Sequence, residues 1–322
     1  MTMPGDTDPT LASVDAHGSD RARDGKLDTK ASNYRVLTSS SRTSFRAVWW
    51  RHALALLALA FALFPILFIV SSAFNEAGTL STSGLLPTRF GLRNFDALFS
   101  DPARPYWTWY RNSLIICLVA TASTLMLGAA AAYAFSRLRW TGRRFGLLFI
   151  LLVQMFPGVL AFVALYITFA NVGTVIPQIG LNTLWGLLLV YLGGAMGGNI
   201  WLFKGYFDTI PKELDEAAKI DGASHARVFF TIILPLVTPI LATVAMLAFV
   251  SLWGEFLLAS IFLTSADNQT LAVGLYATRN ADVNRYFGQF VAGAVLASLP
   301  VVLVYLALQR QLIGGMTQGA VK

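Results

Sequence analysis

Long apolar runs alternate with short polar segments along most of the chain. No Asp, Glu, Lys or Arg occurs over the 59 residues between Arg144 and Lys204. A helix that spans a bilayer needs about 20 consecutive apolar residues, so this interval holds two spans and a turn. Over the whole chain, the same pattern predicts six spans, at residues 53–73, 114–135, 146–169, 184–203, 239–263 and 291–308. We therefore expect an all-α polytopic membrane protein.

Local signals predict a break in one span and a costly charge in another. Pro157 and Gly158 predict a kink in the third span, because proline interrupts helical hydrogen bonding. Glu255 falls inside the fifth span, where a carboxylate costs about 2.5–3.5 kcal/mol on insertion scales. Glu255 and the neighbouring Trp253 are therefore candidates for lining a water-filled pathway between the helices. Packing between helices is the alternative interpretation.

Composition and charge narrow the class of protein. Hydrophobic residues make up 56% of the chain and charged residues 13%, about half the charged share of a soluble domain. This excludes a soluble enzyme, a secreted disulfide scaffold and a disordered protein. The basic residues lie at the ends of apolar runs, which is typical of membrane orientation and not of nucleic-acid binding. If the N-terminus is cytoplasmic, the non-spanning segments on the cytoplasmic side hold 18 Lys and Arg, and those on the opposite side hold six. Because basic residues favour the cytoplasmic side, both termini are expected in the cytoplasm.

The N-terminal segment has a different composition. Residues 1–46 contain 13 Ser and Thr, seven Lys and Arg and six Asp, without a periodic apolar pattern. Such a segment buries too little surface to offset the entropy of ordering. We expect residues 1–48 to form a disordered polar cytoplasmic tail and residues 49–322 to form the transmembrane domain.

A polar insertion at residues 205–236, between the fourth and fifth spans, predicts a short helix. Pro211 suits a first helical turn, and the acids that follow it favour the positive end of the helix dipole. Gly222 can adopt the left-handed conformation that ends a helix. Ser224 can then cap a second helix.

The face of this short helix favours a protein partner over lipid. Leu214, Ala217 and Ala218 share one face at helical spacing, which predicts a shallow, exposed apolar ridge. A helix that lies on lipid would carry large apolar and basic residues, whereas this one is rich in alanine and acids. Opposite charges four residues apart predict two ion pairs within the helix, Lys212 with Glu216 and Asp215 with Lys219.

These residues form a recognisable motif. Glu216-Ala217-Ala218, then Asp221-Gly222-Ala223, then Ile232 to Leu236 with Pro235 before the next span resemble the EAA loop of bacterial ABC importer permeases. Asn112-Ser113, Leu271 to Gly274 and the C-terminal sequence resemble the carbohydrate branch of that family. Within the branch, the chain is similar to the shorter permease subunit of maltose/maltodextrin importers. The resemblance covers about residues 50–322, and the N-terminal tail departs from it.

The resemblance implies an architecture and a set of functional residues. It implies six transmembrane helices in a type I ABC importer (MetI-like) fold, with a core unit at about 110–309, a coupling loop at 205–236 and a C-terminal tail at 310–322. The residues that it implies for ATPase coupling are Glu216, Ala217, Ala218, Asp221, Gly222 and Ala223. It also implies that Thr317 and Gln318 in the C-terminal tail contact the ATPase.

The resemblance further implies the activity and the partners. The chain would be a subunit of an ATP-driven importer that moves maltose, maltodextrin, trehalose or a similar oligosaccharide across the bacterial inner membrane by alternating access. Its partners would be an ABC ATPase homodimer, a second, different permease subunit and an extracytoplasmic sugar-binding protein. The sequence contains no P-loop motif, so ATP and Mg²⁺ are expected in the ATPase subunits. We expect no catalytic, cofactor-binding or metal-ligating residues in this chain.

An ion-coupled secondary transporter is the alternative function. Such proteins carry internal repeats or several carboxylates within the membrane. The predicted spans contain Glu255 alone, which favours the importer.

Overall fold

The structure is a computed structural model that describes residues 45–195 and 197–318, with side chains for 48–194 and 197–311. The described chain falls into two compact units, residues up to Leu54 and residues from Ala55 onward. In the first unit, Phe45 begins a helix on which Trp49 and Trp50 are exposed. This helix begins before residue 49, the expected start of the transmembrane domain. The rest of the predicted tail, residues 1–44, lies outside the described part of the chain.

The described residues form α-helices joined by turns and loops. In chain order, these are α1 (Phe45–Ala73), α2 (Arg93–Ser100), α3 (Tyr106–Arg137), α4 (Arg143–Gln154), α5 (Gly158–Val175), α6 (Leu184–Ala195), α7 (Gly198–Asp208), α8 (Glu213–Ile220), α9 (His225–Val228), α10 (Leu234–Leu236), α11 (Thr238–Trp253), α12 (Leu257–Phe262), α13 (Leu271–Ala281) and α14 (Phe287–Gln318). Three 3₁₀ turns (Leu80–Thr82, Pro177–Ile179 and Ala266–Asn268) and a π-helical segment (Phe229–Ile233) complete the described elements.

The number of membrane-crossing helices agrees with the sequence pattern. Among the described residues, α1, α3, α5 and α14 are each long and apolar enough to cross a membrane. Two bent pairs raise the number to six if each is counted as one span: α6 with α7, bent by 49°, and His225–Leu236 with α11, bent by 79°. The prediction of an all-α, polytopic membrane protein is therefore confirmed.

Helix breaks follow the local chemistry in the third and fifth spans. α4 ends at Gln154 and α5 begins at Gly158, so the kink expected at Pro157 is present. The fifth predicted span, 239–263, is interrupted, because α11 ends at Trp253 and α12 begins only at Leu257. Gly254 lies at this interruption, where its lack of a side chain weakens the helix.

Helix α3 is central to the packing and connects two clusters of buried side chains. It has 32 residues, which corresponds to a length of about 48 Å. The cluster at its first turns includes Tyr106 and Trp109, and the cluster near its last turns includes Ala132 and Tyr133. We call the end of the bundle that carries Tyr106 the far end and the end that carries Arg137 the loop end.

Candidate functional site: the coupling loop

Helix α8 is closed by the turn that the sequence predicts. Gly222 has a φ of +81°, in the left-handed region that suits glycine. The N–H of Ala223 donates to the carbonyl of Ala218 (2.9 Å), and the N–H of Gly222 donates to the carbonyl of Lys219 (3.0 Å). This pattern is the Schellman motif. Ser224 Oγ then accepts the N–H of Arg227 at 3.3 Å and caps α9, as expected.

The side chains of α8 divide between the bundle and solvent. Ala218 is 8% exposed and packs in the loop-end cluster, so its predicted place on an exposed ridge is wrong. The methyl group of alanine is small enough to pack closely against the membrane helices. Ala217 is exposed, Leu214 is 42% exposed and Ile220 is 87% exposed. The exposed apolar surface of α8 is therefore formed by these three residues.

The other residues of the predicted coupling motif remain accessible. Glu216, Asp221 and Gly222 are exposed, and Ala223 is half-buried beside the loop-end cluster. Among the residues that the structure describes, no atom lies within 4 Å of a Cβ atom added to Gly222. This surface combines carboxylates with small residues and is open to a partner.

A buried ion pair joins α8 to the end of α3. Arg137 Nε lies 3.0 Å from Asp215 Oδ2, and the two side chains are 4% and 7% exposed. Arg137 Nη2 also donates to the carbonyl of Ile210, just before α8, at 2.7 Å. Asp215 therefore pairs with α3 and not with Lys219. The expected pair of Lys212 with Glu216 is likewise not formed within the described residues.

This ion pair leaves hydrogen-bonding capacity unused. Arg137 Nε and Nη1 and Asp215 Oδ1 are buried and have no hydrogen-bond partner among the described residues. Both side chains line a cavity of about 840 Å³ between the α3–α4 turn and α8. We call it the basic cavity, because five Lys and Arg residues line it against two carboxylates: Arg137, Arg139, Arg143, Lys212 and Lys219 against Asp215 and Glu216.

A second ion pair lies nearby on a more exposed surface. Lys204 Nζ lies 2.5 Å from Asp208 Oδ2, with side chains 18% and 45% exposed. Ser136 Oγ donates to the other oxygen of Asp208 at 2.5 Å. The end of α7 is thus tied to the end of α3, next to the Arg137–Asp215 pair.

Comparison with known proteins identifies the family. Residues 124–318 match the family described as "Binding-protein-dependent transport system inner membrane component". The chain belongs to this permease family. The matched segment contains the whole coupling loop and the two ion pairs at the loop end.

Curated relatives and a solved structure agree with this assignment. The chain is 40% identical over 286 residues to the maltose/maltodextrin transport system permease protein MalG of Vibrio vulnificus, covering 85% of this chain and 96% of the relative. It is 38% identical over 260 residues to the galactooligosaccharides transport system permease protein GanQ of Bacillus subtilis, covering 80% and 90%. The crystal structure of a bacterial ABC transporter involved in the import of the acidic polysaccharide alginate contains a chain of the same fold, with a TM-score of 0.70 and 24% identity over 83% of this chain and 97% of that one. The expected resemblance to carbohydrate importer permeases is confirmed.

The far end of the permease contains a loop, residues 264–271, that is bound by uncharged side chains. Three residues in the first turns of α3 make these contacts. The bonds run from Trp109 Nε1 to Ala266 O (2.7 Å), from Asn112 Nδ2 to Asp267 O (2.9 Å) and Gln269 O (3.1 Å), and from Leu271 N to Ser113 Oγ (2.7 Å). In the sequence, Asn112-Ser113 carries only a resemblance to the family, whereas in the structure these two residues bind the loop.

Asn182 secures the other side of this loop. Its φ is +59°, a conformation that asparagine tolerates better than most residues. Its Oδ1 accepts the backbone N–H groups of Thr264 and Ser265, both at 3.0 Å. Sequence reasoning missed Asn182, since a single Asn in a turn does not reveal a partner that lies far along the chain.

Glu255 and Trp253 lie at the interruption between α11 and α12. Glu255 Oε1 accepts the N–H of Leu258 (2.7 Å), and its Oε2 accepts the N–H of Ala259 (2.9 Å) and the hydroxyl of Tyr191 (2.7 Å). Trp253 is 8% exposed and donates from Nε1 to the carbonyl of Ala297 at 3.0 Å. These contacts give both residues structural roles, and their assignment to the pathway stays a prediction.

Helix α14 continues to Gln318, so the expected C-terminal tail at 310–322 begins within a helix. The side chains of Thr317 and Gln318 lie outside the described part of the chain, as do residues 319–322. Their expected contact with an ATPase stays a prediction.

Proposed function

We propose that this chain is a permease subunit of an ATP-driven importer that moves an oligosaccharide across the bacterial inner membrane by alternating access. The observation that carries the proposal is the 40% identity, over 85% of the chain, to a maltose/maltodextrin permease. The similar identity to a galactooligosaccharide permease supports a sugar as the substrate class. Maltose, maltodextrin, trehalose and related oligosaccharides are the candidates.

Helix α8 is the proposed coupling helix. It offers Glu216, Ala217 and Gly222 to a partner, while Ala218 and Asp215 hold it against the membrane helices. A displacement of α8 would therefore act directly on the end of α3. ATP binding can shift the permease only through contacts that differ between its two states, and this surface is suited to provide them.

The proposed assembly places partners on both sides of the membrane. An ABC ATPase homodimer, which would bind ATP and Mg²⁺, would contact the loop end in the cytoplasm. The excess of basic residues in the loop-end segments supports this orientation, with both chain termini inside. A second permease subunit would lie beside this chain. An extracytoplasmic sugar-binding protein would contact the outer segment at 265–290, at the far end.

Co-purification and ATPase assays test the proposal. The tagged chain should purify with an ATPase and a second permease, and the complex with its binding protein should hydrolyse ATP faster in the presence of its sugar. Gly222→Val should reach the membrane but lose sugar-stimulated ATPase activity, because valine disfavours a positive φ. Gly222→Asn is the matched control, since asparagine is the other residue used at this position of the helix-ending turn. Normal transport by Gly222→Val would refute the coupling role of the turn.

The outer contact has a separate test. Val283 lies between α13 and α14 and is 41% exposed, so Val283→Cys offers a thiol without disturbing the core. We expect it to crosslink to the binding protein in the ATP-bound complex. Labelling of this cysteine only from the cytoplasmic side would overturn the orientation.

We also propose that Thr317 and Gln318 contact the ATPase and modulate coupling. Each neutral hydrogen bond contributes about 0.5–1.5 kcal/mol net, which is too little to control assembly. Deletion of residues 314–322 should leave the complex intact and change the ATP hydrolysed per sugar moved. An unchanged ratio would remove the tail from the mechanism.

A further inference from the structure

The basic cavity carries a chemistry that the coupling role does not use. Arg139, Arg143, Lys212 and Lys219 line it and form no ion pair within the described residues. Arg137, whose side chain is 4% exposed, also lines it and has a buried Nη1 without a hydrogen-bond partner in the described chain. Several cations on one concave surface, together with an unused guanidinium donor, are suited to an oxyanion.

The acids near the cavity do not neutralise this charge. Asp215 is already paired with Arg137, and Asp208, which is bound by Lys204 and Ser136, also interacts electrostatically with Arg143. The remaining carboxylate in the cavity wall is Glu216. The cavity therefore keeps an excess of positive charge.

On the side of α4, the lining of the basic cavity continues into an exposed apolar surface. A second cavity, of about 410 Å³, shares Arg139, Trp140 and Arg143 with the first and adds Arg144 and Phe145. Trp140 is 43% exposed, and tryptophan is enriched where a bilayer meets water. Phe145, which is 73% exposed, extends this surface with an apolar ring. None of the residues of α4 is buried, so an exposed apolar helix begins directly at the basic cluster.

We propose that the basic cavity binds the phosphate group of an anionic phospholipid whose acyl chains lie along α4. An acidic protein segment would match the charges but not the apolar helix that continues from them. Basic pockets beside membrane helices on the cytoplasmic side are suited to anionic headgroups. Lys212 and Lys219 belong to the coupling loop, so a bound phosphate would bridge this loop and the α3–α4 turn.

Lipid retention tests the proposal. The full chain, in the assembly in which it is purified, is exchanged into a neutral detergent with equal amounts of phosphatidylglycerol and phosphatidylcholine. Native mass spectrometry then measures the lipid that stays bound. We expect phosphatidylglycerol to be retained in preference. Arg139→Gln and Arg143→Gln should each weaken its retention about fivefold, as expected for one basic charge near an anionic surface.

The control variant is Arg227→Gln, which removes an exposed cation from the same end of the chain without touching either cavity. Arg227→Gln should retain phosphatidylglycerol as the wild type does. A loss equal to that of the two cavity variants would show that overall charge, and not the cavity, retains the lipid, and would refute the proposed site. Equal retention of the two lipids would also overturn it. Displacement of the lipid by inorganic phosphate at the same concentration would assign the cavity to a free phosphate. Retention by the isolated chain but not by the complex with the ATPase would assign it to a protein segment.

Discussion

The two ends of α3 are joined to the rest of the permease by different kinds of bond. At the far end, uncharged groups of Trp109, Asn112 and Ser113 bind the loop at 264–271. At the loop end, the buried ion pair of Arg137 and Asp215 binds α8. A neutral hydrogen bond contributes about 0.5–1.5 kcal/mol net, whereas breaking a buried ion pair on one side costs about 3–5 kcal/mol. The far end thus distributes its stability over several neutral contacts, whereas one buried ion pair makes the largest single contribution at the loop end.

This difference suits the proposed roles of the two ends. A loop held by several independent bonds keeps its shape when one bond is lost. A coupling helix held by a buried ion pair, by the bond from Arg137 to Ile210 and by the packing of Ala218 moves together with α3.

The largest effect is expected for Arg137→Met. It removes one partner of the buried pair and leaves Asp215 as an uncompensated carboxylate, at a cost of about 3–5 kcal/mol. The double variant Arg137→Met/Asp215→Leu removes both charges and should recover most of that stability. Chemical unfolding in mixed micelles of the wild type, the two single variants and the double variant measures the coupling energy between Arg137 and Asp215. A double variant as unstable as Arg137→Met alone would show that packing, and not the pair, holds α8.

Gly274→Ala should have the next largest effect, at the far end. A Cβ atom on Gly274 would overlap the ring of Trp109, which is 2% exposed. Overpacking of this kind costs about 1–3 kcal/mol. Gly205→Ala in α7 is the control, because its Cβ would meet no atom of the described chain within 4 Å and alanine favours a helix. The thermal midpoint should fall for Gly274→Ala and hold or rise for Gly205→Ala, and the reverse order would refute the packing argument.

Asn112→Ala should have a smaller effect, confined to the far-end loop. It removes two neutral hydrogen bonds, to Asp267 and Gln269, while the bond that Trp109 donates and the bond that Ser113 accepts remain. We expect a loss of about 1–2 kcal/mol and faster hydrogen exchange in the loop at 264–271. Exchange of α8 should stay unchanged. Acceleration at both ends would show that the far end is as cooperative as the loop end.

The sequence predicted the features that depend on local chemistry. The six apolar spans, the kink at Pro157 and the turn at Gly222 each follow from a few neighbouring residues, because span length, proline and a positive φ impose their own constraints. Ser224 as a helix cap belongs to the same group. The residues of the coupling motif were also recognisable, although their roles come from the family and not from geometry.

The sequence did not predict features that depend on packing between distant segments. Asp215 had a local partner in Lys219 and a distant one in Arg137, and only the position of α8 against α3 decides between them. Adjacent alanines give no signal for which one faces the bundle, so Ala218 was misplaced. Hydropathy averaged over a span also conceals the interruption at Gly254, which turns Glu255 into a helix cap.

The smallest effect is expected for Lys204→Met, and it isolates burial as the cause of the difference. The pair of Lys204 with Asp208 has the same charges as the pair of Arg137 with Asp215 and lies at the same end, but the side chain of Asp208 is 45% exposed. Water screens such pairs, and exposed pairs four residues apart in a helix contribute about 0.3–0.5 kcal/mol. Ser136 also continues to donate to Asp208 after the substitution. We expect a small fall in the thermal midpoint that disappears in high salt, whereas the loss in Arg137→Met should persist there because a buried pair is screened much less. Equal losses in the two variants would show that the number of charges, and not their burial, sets the stability of the loop end.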